Sequence, residues 1–245
     1  MSEREGVIPV LAVIVNVVLV ILGSLLGILL KNRFSQRMGQ AVMAALALCT
    51  IGIGLTTLLR TQDSMCVIVC MVLGTLLGEK IDIEKQIDGV GEALRRKLVR
   101  GEGNSRFVEG FLTATVLYCV GAMAINGSIQ AGLNHDYAIL FSKGVMDGVS
   151  AITFAAAMGV GVAFSALPLL VYEGAITLLA GVVGPYLGGD VITEMSAVGG
   201  AIILGIAFNM LGMGKEKIRV GNMLPAIFLP ILYLPLVNWL GGLIG

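Results

Sequence analysis

A carboxyl and an amine one helical turn apart, inside a stretch apolar enough to span a bilayer, are the groups of this chain best placed to do chemistry. Asp147 sits about halfway along the run from Tyr137 to Phe164, and Lys143 lies four residues before it. On a helix that spacing puts both side chains on one face. An ionised carboxylate at mid-membrane costs roughly 2.5–3.5 kcal/mol on insertion scales, so it persists only with a partner, water or a proton. At about 1.5 Å rise per residue, Asp147 falls roughly 13 Å below one end of its span, close to the midplane. Glu173 lies at similar depth in the next apolar stretch. Two acids at one depth on adjacent helices point to a proton or cation site, because like charges at close range let one of them hold or release a proton. The plainer reading is a Lys–Asp pair that locks two helices, with Glu173 making a single hydrogen bond between helices.

Other polar groups form a second tier. Ser142, Ser150 and Thr153 add hydroxyls to the Asp147 span, and Gly144, Gly148, Gly159 and Gly161 add glycines. A helix so composed is expected to break and expose backbone groups to a solute. Asn209 and Asn222 can bond exposed backbone, and Glu109 stands near one end of its span. Asn126 is expected at an outer rim. Pro225, Pro230 and Pro235 recur every five residues and favour kinks. The candidate solute- or ion-binding set is therefore Asp147, Lys143, Glu173, Ser150, Asn209, Asn222 and Glu109. The lone His135, beside Asp136, lacks the company a metal site needs and reads as solvated. No P-loop, GxSxG elbow, HExxH or CxxC is present, so neither an enzyme nor a cofactor or metal site is expected.

The elements that position these residues follow from composition. Apolar residues make up 57% and charged residues 13%, against about 45–50% and 25% in soluble domains. The 34 glycines suit helices whose backbones approach closely in lipid. Zero formal net charge and the lack of a basic patch give no reason to expect nucleic acid. Cys49, Cys66, Cys70 and Cys119 all fall in apolar stretches and read as small packing residues. The acidic n-region before the first apolar run makes that run a transmembrane helix rather than a cleaved leader.

With about 20 apolar residues needed per crossing, eight spans are predicted, at 7–30, 38–59, 64–78, 107–125, 138–162, 164–187, 192–212 and 220–243. The fold class is all-α, a single polytopic helix bundle over 1–245. Basic residues cluster after spans one, three and seven, which places both termini outside by the positive-inside rule. The outer loops are then short and polar: 60–63, 126–136 and 188–190. Within 79–106, Ile83, Ile87, Val90, Leu94 and Leu98 recur at helical spacing, so an amphipathic helix on the cytoplasmic surface is expected. Spans one and two resemble spans six and seven in the turn that joins them, and a third span follows each pair. Five spans separate the two units, an odd number, which makes an inverted repeat of the secondary-transporter kind a candidate plan.

Several runs resemble a known family. Phe107-Val-Glu-Gly-Phe-Leu-Thr-Ala-Thr, Cys119-Val-Gly-Ala-Met-Ala-Ile, Gly127-Ser-Ile-Gln-Ala-Gly132, Lys143-Gly-Val-Met-Asp-Gly, the run Met158 to Pro168, and Asn222-Met-Leu-Pro225 are similar to the YqgA-like bacterial inner-membrane family, a domain of unknown function numbered 554. The resemblance covers essentially the whole chain. It implies a bacterial multispanning protein with Lys143 and Asp147 inside the family motif, and it brings no substrate. It also implies that the place of Glu173 is often Gln, where this chain carries the acid. The expected function is a secondary transporter of a small solute or ion, coupled to protons or a cation. A channel-like pore and a non-transporting membrane scaffold or sensor are the alternatives, and self-association stays open.

Overall fold

The computed structural model describes residues 10–31, 36–87, 89, 104–214 and 216–244. The described chain is a bundle of helices. They are α1 (Leu11–Lys31), α2 (Gln36–Leu58), α3 (Ser64–Ile81), α4 (Asn104–Val120), α5 (Ala122–Asn134), α6 (Ala138–Met158), α7 (Gly161–Phe164), α8 (Ala166–Leu178), α9 (Ala180–Val183), α10 (Gly189–Met210) and α11 (Pro230–Ile244). Two 3₁₀ segments, Gly184–Tyr186 and Val220–Phe228, complete the path. Among the described residues, six helices are long and apolar enough to cross a membrane, and eight crossings result when each bent pair counts as one span.

Local chemistry sets the boundaries. The carboxylate of Asp63 accepts from the backbone N–H groups of Met65 and Cys66 at 3.0 and 3.1 Å, which caps the start of α3. Asp82 closes the same helix in the left-handed region, at φ 54°. α4 and α5 meet at 57° across Gly121. Two of the three prolines mark a bend: the 3₁₀ segment holding Pro225 meets α11 at 44°, and Pro230 begins α11, where a missing N–H costs nothing, whereas Pro235 lies within α11. Gly159, at φ 90°, ends α6 in a conformation open to glycine.

Close approaches give the relative helix directions. Gly144 faces Asn16, and Gly148 faces Leu19, so α1 and α6 run parallel. Gly200 meets Leu58 and Gly54, while Thr61 meets Glu194, so α2 and α10 run antiparallel. Gly74 abuts Ala226 and Gly78 abuts Asn222, so α3 runs antiparallel to the 220–228 segment. All three directions follow if α4 with α5, and the 220–228 segment with α11, each make one crossing.

The core has two principal parts. One joins α3, α4, α5, α10 and the 220–228 segment around Val116, Ile125, Val198 and Ile202. The other joins α1, α4, α6 and α8 around Val20, Tyr118, Phe154 and Leu169. α4 belongs to both and so partitions the bundle. Large apolar side chains such as Leu22, Leu29, Leu48, Leu76 and Leu232 remain exposed on the perimeter, as a lipid-facing surface requires.

Three expectations need correction. The predicted outer loop 126–136 is mostly helix: α5 reaches Asn134, and its Ser128 and Ala131 are buried. Gly127 and Gly132 let α5 lie against Leu140 of α6 and the Thr177 backbone of α8, so the segment packs rather than loops. The boundary between spans five and six falls at Gly159, and α8 ends at Leu178 rather than continuing to 187. α6 is unbroken around Asp147, because Gly144 and Gly148 serve helix packing instead of unwinding. Of the expected surface helix 79–106, residues 79–81 finish α3, 83–87 form a further helical turn, and 104–106 open α4. Val90, Leu94 and Leu98 lie outside the described residues. Cys66 and Cys70 are buried in the core as expected, whereas Cys49 is exposed on α2.

Candidate functional site

Three helices bring four polar side chains to one point. α6 supplies Lys143 and Asp147, one turn apart on the face turned toward α1. α8 supplies Glu173, and α1 supplies Asn16. Lys143 donates to Asp147 Oδ2 and lies 3.1 Å from Glu173 Oε1. The Asn16 amide nitrogen donates to Asp147 Oδ2 at 3.2 Å and to Glu173 Oε1 and Oε2 at 3.3 and 3.1 Å. Asn16 and Glu173 are 0% exposed, Lys143 5% and Asp147 8%, so the cluster is sealed from solvent and lipid alike.

This closeness depends on glycine. A methyl group at position 144 would come 3.1 Å from Asn16 Cα, and one at 148 would come 3.1 Å from the Leu19 carbonyl oxygen. On α1, side chains at Gly23 and Gly27 would overlap the carbonyl oxygens of Gly148 and Ile152. Gly144 and Gly148 of α6 thus lie against Asn16 and Leu19 of α1, and Gly23 and Gly27 of α1 lie against Gly148 and Ile152 of α6, so that small-xxx-small motifs on both helices let the backbones touch. They carry the amide of Asn16 to the carboxylates.

With both acids ionised, two carboxylates face one ammonium. The Asn16 amide contributes a dipole but no charge. Its Oδ1 is buried and has no hydrogen-bond partner, which is unusual enough for a buried acceptor to call for an explanation. Ser150 sits one turn beyond Asp147, where its hydroxyl donates to the Asp147 carbonyl oxygen at 2.9 Å and its Oγ lies 3.3 Å from the Tyr118 hydroxyl. It ties the site to α4 rather than joining the charge cluster.

The other candidates stand elsewhere. Asn209 makes a two-way pair with the Ile218 backbone, both bonds 2.8 Å, and so closes the turn after α10. Asn222 accepts from the Glu84 backbone N–H at 2.7 Å. Glu109 lies 3.6 Å from the ammonium of Lys217. Arg219 bridges Glu79 at 2.8 Å and Asp82, while Glu84 accepts from the Gly221 N–H at 3.0 Å. Together these contacts latch one end of the bundle and do not reach Asp147.

The profile of a family described as "Protein of unknown function (DUF554)" matches residues 11–234, a span that contains all four clustered residues. The chain belongs to the DUF554 family. Among relatives of this DUF554 member, an "Uncharacterized membrane protein YdfK" of Bacillus subtilis (strain 168) is 31% identical over 221 residues, covering 89% of this chain and 92% of the relative. An "Uncharacterized protein YqgA" of Escherichia coli (strain K12) is 28% identical over 218 residues, covering 88% and 92%. No solved structure matches the chain.

Two buried polar residues of this DUF554 member escaped the reading of its sequence. Asn16 is the one strongly polar residue between Val7 and Gly23, and Gly23 with Gly27 marks the face that meets α6; that pairing was the available signal. Glu194, 2% exposed, accepts from the Thr61 hydroxyl at 2.5 Å and from the Gln62 and Asp63 N–H groups at 2.7 and 3.2 Å. It holds the turn that starts α3. Hydrogen bonds to charged groups contribute about 1.5–3 kcal/mol, so Glu194→Ala is expected to lower the melting temperature of the purified protein. Glu194→Gln, which keeps one acceptor oxygen, should lose less. Equal melting of both variants and parent would show that this carboxylate holds nothing.

Proposed function

We propose that this DUF554 member is a secondary transporter of a small solute, with the Asn16, Lys143, Asp147 and Glu173 cluster as its proton-coupling site. The observation that carries this reading is the charge count in the sealed cluster: two carboxyl groups share one ammonium. A single proton or monovalent cation completes neutrality, and an uncompensated charge in such surroundings is costly. Lys143 and Asn16 already direct N–H groups at the carboxylate oxygens. A metal ion would have to displace them, whereas a proton would not. The unpartnered Oδ1 of Asn16 offers an acceptor for a donor that arrives during the cycle.

The packing supports an alternating-access plan. α1 touches α8, α2 packs on α10, and α3 packs on the 220–228 segment. These are the pairs that an in-plane two-fold axis would relate in an inverted repeat. Lys217 and Arg219 gather at the same end as Glu79, Asp82 and Glu109, which fits one cytoplasmic side for the loops after spans three and seven. We assign the protein to the bacterial inner membrane with both termini outside. No catalytic role is proposed.

The test begins with thermal stability of purified protein against ions, amino acids, amines and neutral alcohols. A ligand at 100 times its dissociation constant stabilises by about 2.7 kcal/mol. At least one hit should lose its effect in Asp147→Asn, and the same compound should move into proteoliposomes when a pH gradient is imposed. Movement that ignores both the gradient and Asp147→Asn overturns the reading.

A further inference from the structure

We propose that the charged cluster opens toward the outer end of the bundle, and that a plug of Val13, Ala131 and Leu140 is the gate through which Asp147 exchanges its proton. The coupling role of that proton rests on the transport reading, while the place of the gate rests on packing alone. The cluster is not central along its helices. Asn16 comes five residues after Leu11, which begins α1; Lys143 comes five after Ala138, which begins α6; Glu173 comes five before Leu178, which ends α8. At about 1.5 Å per residue, only roughly 7–8 Å of helix lies beyond them on that side. Inward, α1 runs fifteen residues past Asn16 to Lys31, and α6 runs eleven past Asp147 to Met158.

The covering differs in the same sense. Outward, Ala12 and Val13 of α1, Ala131 of α5 and Leu140 of α6 form a small buried apolar cluster, about one turn from Asn16 and Lys143. Inward, a larger cluster runs from Val20 through Tyr118, Phe154, Ala155 and Met158. The thinner barrier yields first, because opening it exposes less apolar surface. Its movable wall is α5, a helix of 13 residues that meets α4 at 57° across Gly121. Leu140 packs against Gly127 of that helix. A swing of α5 about Gly121 withdraws Ala131 and Gly127 from Leu140 and uncovers the acids.

Asp147 is the acid that such an opening serves. Its Oδ2 takes the hydrogen bonds of Lys143 and Asn16, and its Oδ1 takes none among the described residues. Both oxygens of Glu173 already meet Asn16. The Asp147 side chain is 12% exposed and that of Glu173 0%. Helical side chains lean toward the N-terminus of their helix, which for α6 is the outer end. The titratable groups around Asp147 are Lys143 on its own helix, Glu173 on α8, and Tyr118 and Cys119 on α4. α1 offers the neutral Asn16, and α5 carries no titratable side chain.

The experiment uses the full chain in right-side-out and inside-out membrane vesicles. The probe is a membrane-impermeant cationic methanethiosulfonate, read by mass spectrometry of the labelled peptide. Thr177 stands one turn outward of Glu173, and Ser24 two turns inward of Asn16. Both are buried and their hydroxyls have no partner, so cysteine replaces either at little cost. Asn134→Cys, exposed at the end of α5, reports which side the outer end faces. Thr177→Cys is expected to label from that side only, and Ser24→Cys from neither. Adding Leu140→Ala should speed labelling of Thr177→Cys at least about tenfold, because truncating a buried leucine costs the closed state its contacts. Leu169→Ala, equally buried in the inner cluster, should not, which separates local opening from general loosening. The gate is overturned if Ser24→Cys labels ahead of Thr177→Cys, or if Thr177→Cys labels from the opposite side. It is also overturned if Thr177→Cys stays unlabelled even with Leu140→Ala, or if Leu140→Ala and Leu169→Ala act alike. Sided labelling without Asp147-dependent movement of any solute removes the transport reading and leaves a gated proton site. Asp147-dependent movement without sided labelling removes the gate alone.

Discussion

Lys143→Met is expected to cost about 3–5 kcal/mol of stability, the usual result of stranding one side of a buried ion pair. The ammonium is the one cation within reach of Asp147 and Glu173 among the described residues. Without it, two acids meet only the amide of Asn16. The loss should appear as a large fall in melting temperature of the detergent-purified protein. Combining Lys143→Met with Asp147→Asn and Glu173→Gln should recover most of that loss, because neutral groups of similar shape replace a buried ionic set at little net cost. Near-parental melting of the single variant would show that the cluster is not enclosed. A triple variant as unstable as the single one would show that packing around Lys143, and not its charge, holds the helices.

The same pair of variants separates a lock from a working site. If the cluster only joins α1, α6 and α8, the neutral triple variant keeps whatever the protein does, as a scaffold would. If the cluster carries a proton, the triple variant folds and is inert. Stability and activity then part company, which no helix-packing role produces. Glu173→Gln is the milder probe. It removes one negative charge and keeps an oxygen for Asn16, leaving Asp147 and Lys143 as a neutral pair.

How much of this was legible in the sequence depended on whether a residue advertises its burial. Lys143, Asp147 and Glu173 did, because charge in an apolar run is expensive and must be answered. Their convergence followed from equal depth, without knowledge of which helices meet. Asn16 did not stand out, since one amide in a long first span is cheap enough to pass as incidental. Glu109, Asn209 and Asn222 are polar for local reasons, being a loop clamp, a turn clamp and a backbone contact near membrane ends. Position along a span could not distinguish those roles from binding. α5 was missed because Asn126, Gly127, Ser128 and Gly132 read as a polar turn. Their small size serves close packing against α6 and α8, a use that only tertiary context reveals. The family resemblance, by contrast, was complete in the sequence, because it rests on runs and not on contacts.

Gly23→Val is the second substitution expected to be severe, and it isolates backbone contact from charge. A side chain at Gly23 would overlap the carbonyl oxygen of Gly148, a backbone atom that cannot rotate away. α1 and α6 must then separate or shift register. Overpacking of this kind costs typically about 1–3 kcal/mol, sometimes more, and here it also lengthens the 3.2 Å bond from Asn16 to Asp147. Melting should fall sharply, and ligand effects that depend on Asp147 should vanish even though every charged residue remains. Gly52 supplies the control, because a methyl group there meets nothing within 4 Å. Gly52→Ala should be neutral or slightly stabilising, as exposed helical glycine replaced by alanine usually is. If Gly23→Val melts like Gly52→Ala, the two helices do not touch, and the geometry that brings an amide on α1 to the acids on α6 and α8 is wrong. If it melts far lower, the glycine faces are what make the polar cluster possible, and the site is a consequence of how closely two backbones approach.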